Sequence, residues 1–157
     1  MVNYEHADVP VRSNFAQSHQ RLWDRLSRPG IWWTSAERID IAAESRRARD
    51  CDLCAARQSA LSPHSVEGEH DRLSALSEPA VEAIHATVSY SSRLTRSWYE
   101  AVRARGLSDG HYVEIVGIVT SVLSTDEFCR GLGLPLHTLP EPGEGEPSRY
   151  RPQHAGP

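Results

Sequence analysis

The stretch 108-SDGHYVEIVGIVTSVLSTDEFCR-130 decides the fold. Tyr112, Val113, Ile115, Val116, Ile118, Val119, Val122, Leu123 and Phe128 make it apolar around most of a helical circumference, and Ser108 stands where an N-cap belongs. Its centre, VEIVGIV, is rich in β-branched residues and would also suit a strand. The apolar run is longer than most strands, however, and strand-like alternation appears nowhere else in the chain. The stretch is therefore read as one helix, the central and buried element of an all-α protein.

Helical periodicity continues on its N-terminal side. Thr95 to Arg105 presents Trp98, Ala101 and Val102 and stops at Gly106, and Ser77 caps a helix with Val81, Ile84, His85 and Val88 along one face. Asp50 reads as the N-cap of a short helix that carries Cys51, Cys54, Arg57 and Gln58 and ends at Ser62-Pro63. A helix from Ser35 to Arg49 opens on a capping box, Thr34 with Glu37, and shows an apolar stripe of Ala36, Ile39, Ala42 and Ala43. Phe15, His19, Leu22, Trp23 and Leu26 mark a first helix before the Pro29-Gly30 break. The expected architecture is a compact all-α bundle of about six helices in one domain, residues 13–139. It is flanked by a flexible N-terminal segment, 1–12, and a Pro/Gly-rich C-terminal tail, 140–157, each loose or wrapped over the surface.

A chain of 157 residues buries enough surface to fold without disulfides or a metal, so its three cysteines are free for chemistry. The formal charge of −4 gives no basic footprint for nucleic acid and no attraction to an anionic membrane surface. All 17 basic residues are arginine, which excludes Schiff-base catalysis and a lysine-dependent phosphate loop. The first residues contain no apolar signal region, and no stretch approaches the ~18 apolar residues of a membrane span. A cytoplasmic protein is expected, and in that compartment cysteines are kept reduced for catalysis, sensing or metal binding.

Cys51 and Cys54 form CDLC in a first helical turn. A thiol attacks as its thiolate, which gains there from unpaired N–H groups and the positive end of the helix dipole. Two cysteines three residues apart on a helix also reach one another, so a sulfenic acid on one can be resolved by the other as a disulfide. Asp52 opposes thiolate formation and Arg57, one turn beyond Cys54, favours it. A rival reading ligates zinc through Cys51, Cys54, His64 and His70 as C-x2-C-x9-H-x5-H. A third treats the pair as inert and buried, the ordinary explanation for Cys129. Haem attachment fails because Ala55 occupies the required histidine position.

The segment TSAERIDIAAESRRARDCDLCAAR, 34–57, resembles the core of the alkylhydroperoxidase D-like branch of the carboxymuconolactone decarboxylase superfamily. The run SRLTRSWYEAVRARGLSDGHYVEIVGIVTSVLSTDEFCRGLGLPL, 92–136, is similar to the partner helices of its alkylhydroperoxidase-related members, some of which carry selenocysteine in the active pair. The resemblance implies an all-α fold, a homo-oligomer and a thiol peroxidase that needs no cofactor. Its partners would be a hydroperoxide substrate and a thiol or dithiol reductant protein. It makes Cys54 the peroxide-attacking cysteine and Cys51 the resolving one. The wider superfamily also holds decarboxylases that do not rely on a cysteine pair. Where the family places a relay carboxylate and a histidine, this chain has Ile39 and Gln58. The expected substitutes are His85 and Glu114, with Glu37, the first acid of the "ER" pair, as a further candidate. Glu114 alternatively bonds an arginine such as Arg93, Glu37 alternatively serves only its cap, and His70 is expected to face solvent.

Overall fold

A computed structural model describes residues 2–151 of the protein. They form six α-helices: α1 (Ser13–Leu26), α2 (Ser35–Arg47), α3 (Asp52–Ser59), α4 (Glu78–Tyr90), α5 (Arg96–Ala104) and α6 (Asp109–Gly131). Three single 3-10 turns occur as well, and no strand is present among the described residues. The fold is the all-helical bundle read from the sequence. No helix is long and apolar enough to cross a membrane.

VEIVGIV is helical because its apolar residues also satisfy the longer period. Ile115, Ile118, Val119 and Val122 share one stripe and continue into Thr125, Asp126 and Cys129, and this stripe lies against α2 and α4. Ser108 caps α6 by accepting the His111 N–H. The expectation that α6 is the central buried helix is corrected by its outer face, where Val113 is 67% exposed. The central helix is α4, buried at every residue from Pro79 through Ala86. Its small residues, Ala80, Ala83 and Ala86, let neighbouring helices approach from several sides.

Helix α2 opens on the expected capping box, with the Thr34 hydroxyl accepting the Glu37 N–H and the Glu37 carboxylate accepting the Thr34 N–H. Its buried face differs from the stripe expected: Ala36 is exposed, and the interior side carries Ser35, Ile41, Ala42, Glu44 and Ser45. Arg46 forks onto buried Asp126 through two hydrogen bonds of 2.8 Å, tying α2 to α6.

Both chain ends wrap over the bundle. Tyr4 bonds the His19 ring and packs with Val2, Trp23 and Cys129 in a second apolar cluster. The Gly143 N–H donates to the Ser27 carbonyl, and the Ser148 and Arg149 N–H groups donate to Gly30 and Ile31, so the tail follows the α1–α2 loop. Met1 and residues 152–157 of the expected flexible ends lie outside the described residues.

Burial in this cluster lowers the pKa of His19 and, helped by the nearby His19, of His137. A histidine whose folded pKa lies below its unfolded value adds stability that is present above about pH 6.5 and lost as pH falls through the folded pKa. The urea midpoint of His19→Gln is therefore expected to lose less, or gain more, than that of the wild type between pH 7.5 and pH 5.

Candidate functional site: a cysteine and histidine cluster

The 3-10 turn Ala48–Asp50 follows α2 and turns the chain into α3. Cys51, in extended conformation, is the N-cap of α3, one residue later than the Asp50 cap expected. Cys54 then falls in the first turn, and both cysteines point inward, 1% and 2% exposed. Helix α3 packs on α4, which brings His85 to the sulfur: Cys54 Sγ lies 3.2 Å from His85 Nδ1.

Two carboxylates hold the cluster from behind. His85 Nε2 is 3.0 Å from Glu44 Oε1 on α2, and both side chains are fully buried. Glu44 also accepts the Ser74 hydroxyl at 2.6 Å and the Ser74 and Leu73 N–H groups at 3.0 and 3.1 Å. The α3–α4 loop thus closes over α2 and delivers a second histidine. His70 Nδ1 is 3.6 Å from each sulfur, and its Nε2 is 3.0 Å from Glu82 Oε2. Glu82, on α4, receives Arg57 at 2.8 and 3.0 Å and the Trp98 indole N–H at 3.0 Å.

Burial opposes charge at Glu82, but hydrogen bonds from His70, Arg57 and Trp98 hold its carboxyl well below the usual range. At Glu44 the bonds from Ser74, His85 and Leu73 likewise outweigh burial and lower the pKa. His70, although penalised by burial, is pushed up to about 10 by its bonds to Cys54, Glu82 and Cys51. Burial, joined by the charge of nearby His70, keeps His85 below its ordinary value despite Glu44. Cys51 is lowered: bonds from His70 and from the Cys54 and Asp71 backbone overcome the burial that would raise it. The site thus favours a Cys51 thiolate beside protonated His70, with His85 neutral.

A cavity of about 800 Å³ opens beside the cluster, lined by Arg57, His64, His70, Glu82 and Trp98 among others. It reaches His70 and Glu82, and neither cysteine is among its lining residues.

Of the residues singled out in the sequence, Cys51, Cys54 and His85 come together, joined by His70 of the rival zinc reading. Glu114 is not part of the cluster. It pairs with Arg38 and accepts the Ile31 and Trp32 N–H groups at 3.1 and 2.8 Å, clasping α6 to the α1–α2 loop. Its charge is satisfied there, and Arg93 instead donates to the carbonyls of Gln58, Ala60 and Leu61 at the end of α3. Glu37 is taken up by its capping box. Gln58 is exposed. His64 stacks on Trp98 with ring centroids 5.9 Å apart, and is not among the cluster ligands. His70 is partly buried between the thiols and Glu82, correcting its expected place in solvent.

Glu44 and Glu82 were not selected from the sequence, and His70 entered it only as a ligand of the rival zinc reading. For Glu44 a signal existed: it stands three residues after Ile41 and four before Ala48, on the face that α2 buries. Glu82, flanked by Val81, Ala83 and Ile84 in an apolar helix, is the kind of carboxylate that burial forces into a pair. The arrangement provides two chemistries: a proton path Cys54–His85–Glu44, and four clustered sulfur and nitrogen donors. No protein-family profile, curated protein or solved structure matches the chain.

Proposed function

We propose that the protein is a dithiol oxidoreductase of the thiol-peroxidase type, with Cys54 as attacking sulfur and Cys51 as resolving sulfur. The observation that carries this reading is the line from Cys54 Sγ through His85 to Glu44, 3.2 and 3.0 Å per step. An imidazole held by a buried carboxylate on one nitrogen and facing a thiol on the other is a built proton acceptor. The resemblance of the CDLC segment to alkylhydroperoxidase D-like proteins adds to this, with His85 and Glu44 in the roles that Gln58 and Ile39 do not fill.

In the proposed cycle His85 takes the Cys54 thiol proton and the thiolate attacks the terminal oxygen of a hydroperoxide. The O–O bond breaks, and the departing alkoxide takes that proton and leaves as the alcohol. The Cys51 thiolate then attacks the sulfur of the Cys54 sulfenic acid, forming the disulfide and displacing hydroxide, which leaves as water with the proton of His70. Two electrons from a thiol or dithiol reductant protein restore the pair, which suits a cytoplasmic thiol pool. Hydroperoxide approaches from the cavity past His70. The family resemblance makes a homo-oligomer part of the same proposal.

The test is thiol counting in metal-free protein. Hydrogen peroxide or an organic hydroperoxide is expected to lower the three thiols to one, reversibly with dithiothreitol, and faster than in a short cysteine peptide. Cys54→Ser is expected to abolish the loss. A rate no faster than the peptide's would end the proposal.

A further inference from the structure

The proton path uses one histidine and leaves His70 unexplained. His70 Nδ1 faces both sulfurs at the same 3.6 Å, a position between two donors that serves neither thiol alone. We infer that the reduced site is also a Zn²⁺ site, with Cys51 Sγ, Cys54 Sγ, His70 Nδ1 and His85 Nδ1 as its four ligands.

The spacing fits a single ion. These four atoms all lie within 4.8 Å of one another. Zinc bonds of about 2.3 Å to sulfur and about 2.0–2.1 Å to nitrogen, set at tetrahedral angles, place sulfur and nitrogen about 3.5 Å apart. Three of the four sulfur–nitrogen separations here are 3.2, 3.6 and 3.6 Å, and the fourth, Cys51 to His85, lies within 4.8 Å. Two thiolates and two imidazoles in a tetrahedron are a donor set that zinc takes in preference to the oxygen-seeking cations.

The surroundings fit as well. Both imidazoles direct Nε2 at a carboxylate, His85 at Glu44 and His70 at Glu82, each 3.0 Å away. With the Nδ1 proton of His70 released on metal binding, that contact keeps the N–H on Nε2 and Nδ1 toward the sulfurs, the outer-shell pattern found around metal-bound histidines. Two independent acids performing the same task on two histidines from different segments is more than a proton path requires. Because all four ligands come from the protein and both cysteines are buried, the ion would have no open position for substrate. Zinc here protects the reduced thiols. The ligand set replaces the His64 of the sequence-based zinc reading with His85.

Metal and peroxide then compete for one pair of sulfurs. Oxidation converts the two zinc-bound thiolates to a disulfide, reduces the hydroperoxide to alcohol and water with uptake of two protons, and releases Zn²⁺, because a disulfide no longer supplies thiolate ligands. The zinc site stands without the peroxidase reading; only this release rests on it.

The experiment uses the full chain, reduced, stripped by chelator and returned to chelator-free buffer without oxygen. Titration with Co²⁺ is expected to give one equivalent of an intense tetrahedral visible spectrum with a thiolate charge-transfer band, displaced by Zn²⁺. His64→Asn keeps that spectrum, whereas Cys54→Ser and His85→Asn lose it while retaining wild-type far-ultraviolet circular dichroism. Zn²⁺ is also expected to slow reaction of the wild-type thiols with a thiol reagent, a readout independent of any variant. Only the pale spectrum of hydrated Co²⁺ in the reduced wild type, or a tetrahedral spectrum unchanged in His85→Asn, would overturn the inference. Cobalt binding without peroxide-dependent disulfide formation in stripped protein upholds the zinc site and removes the peroxidase. The converse result removes the zinc site alone.

Discussion

Replacing Glu82 with alanine is expected to cost about 3–5 kcal/mol of stability in the reduced, metal-free protein, read as a lowered urea midpoint at unchanged slope. Glu82 is 5% exposed and sits where α3, α4, α5 and the loop carrying His70 converge. Its removal strands the Arg57 guanidinium, 11% exposed, without a counter-charge and leaves the Trp98 N–H without its acceptor. An unpaired buried charge is the expensive outcome, whereas removing both partners of such a pair is often nearly neutral. The double variant Glu82→Leu with Arg57→Met is therefore expected to recover most of the loss. A cost below about 1 kcal/mol for Glu82→Ala would place the pair among weak surface bridges.

The second large effect concerns rate. His85→Gln is expected to slow peroxide-dependent thiol oxidation by about 10²–10⁴-fold, the range that a positioned proton acceptor contributes. Glutamine fills similar space but cannot take the Cys54 proton. Glu44→Gln is expected to slow the reaction as well, because its single oxygen can serve either the Ser74 and Leu73 N–H groups or His85 Nε2 but not both, and the charge that stabilises an imidazolium is gone. Stopped-flow thiol loss on both variants, with urea unfolding in parallel, separates rate from stability. Rates within twofold of wild type in His85→Gln would remove the proton path and leave Cys54 reactive by position alone.

How much of this was legible in the sequence follows from the range of each signal. Capping is local, so Thr34 with Glu37 and Ser108 are readable from neighbouring residues and hold their helix starts, whereas Ser77 stands at the N-cap of α4 without a side-chain bond. The helical reading of VEIVGIV held because its apolar residues keep a 3.6 period through Cys129. Helix α2 was harder. Its alanines spread around the helix and blur the stripe, so Ala36 and Ile39 suggest a phase that leaves Glu44 outside the interior. The same ambiguity made Glu114 attractive, since a carboxylate within an apolar run must find a partner. Nothing local says that the partner is Arg38, 76 positions away, and not the thiols. His70 lies in a polar loop whose course is fixed by Glu44 binding its Leu73 and Ser74 backbone, a long-range contact with no periodic signature. His85 was readable because its helix faces the core on every side.

Peptide mapping after peroxide treatment tests most directly whether Cys51 and Cys54 act as one redox pair. Trypsin cleaves after Arg49 and Arg57, which places both cysteines in the single peptide Asp50–Arg57 and leaves Cys129 in another. After one equivalent of hydroperoxide on stripped, reduced protein, followed by thiol blocking, that peptide is expected to lose two hydrogens and carry no blocking group, while Cys129 is blocked in full. A peptide Asp50–Arg57 that retains two blocked thiols, or whose first oxidation product is a bridge to Cys129, would contradict the account.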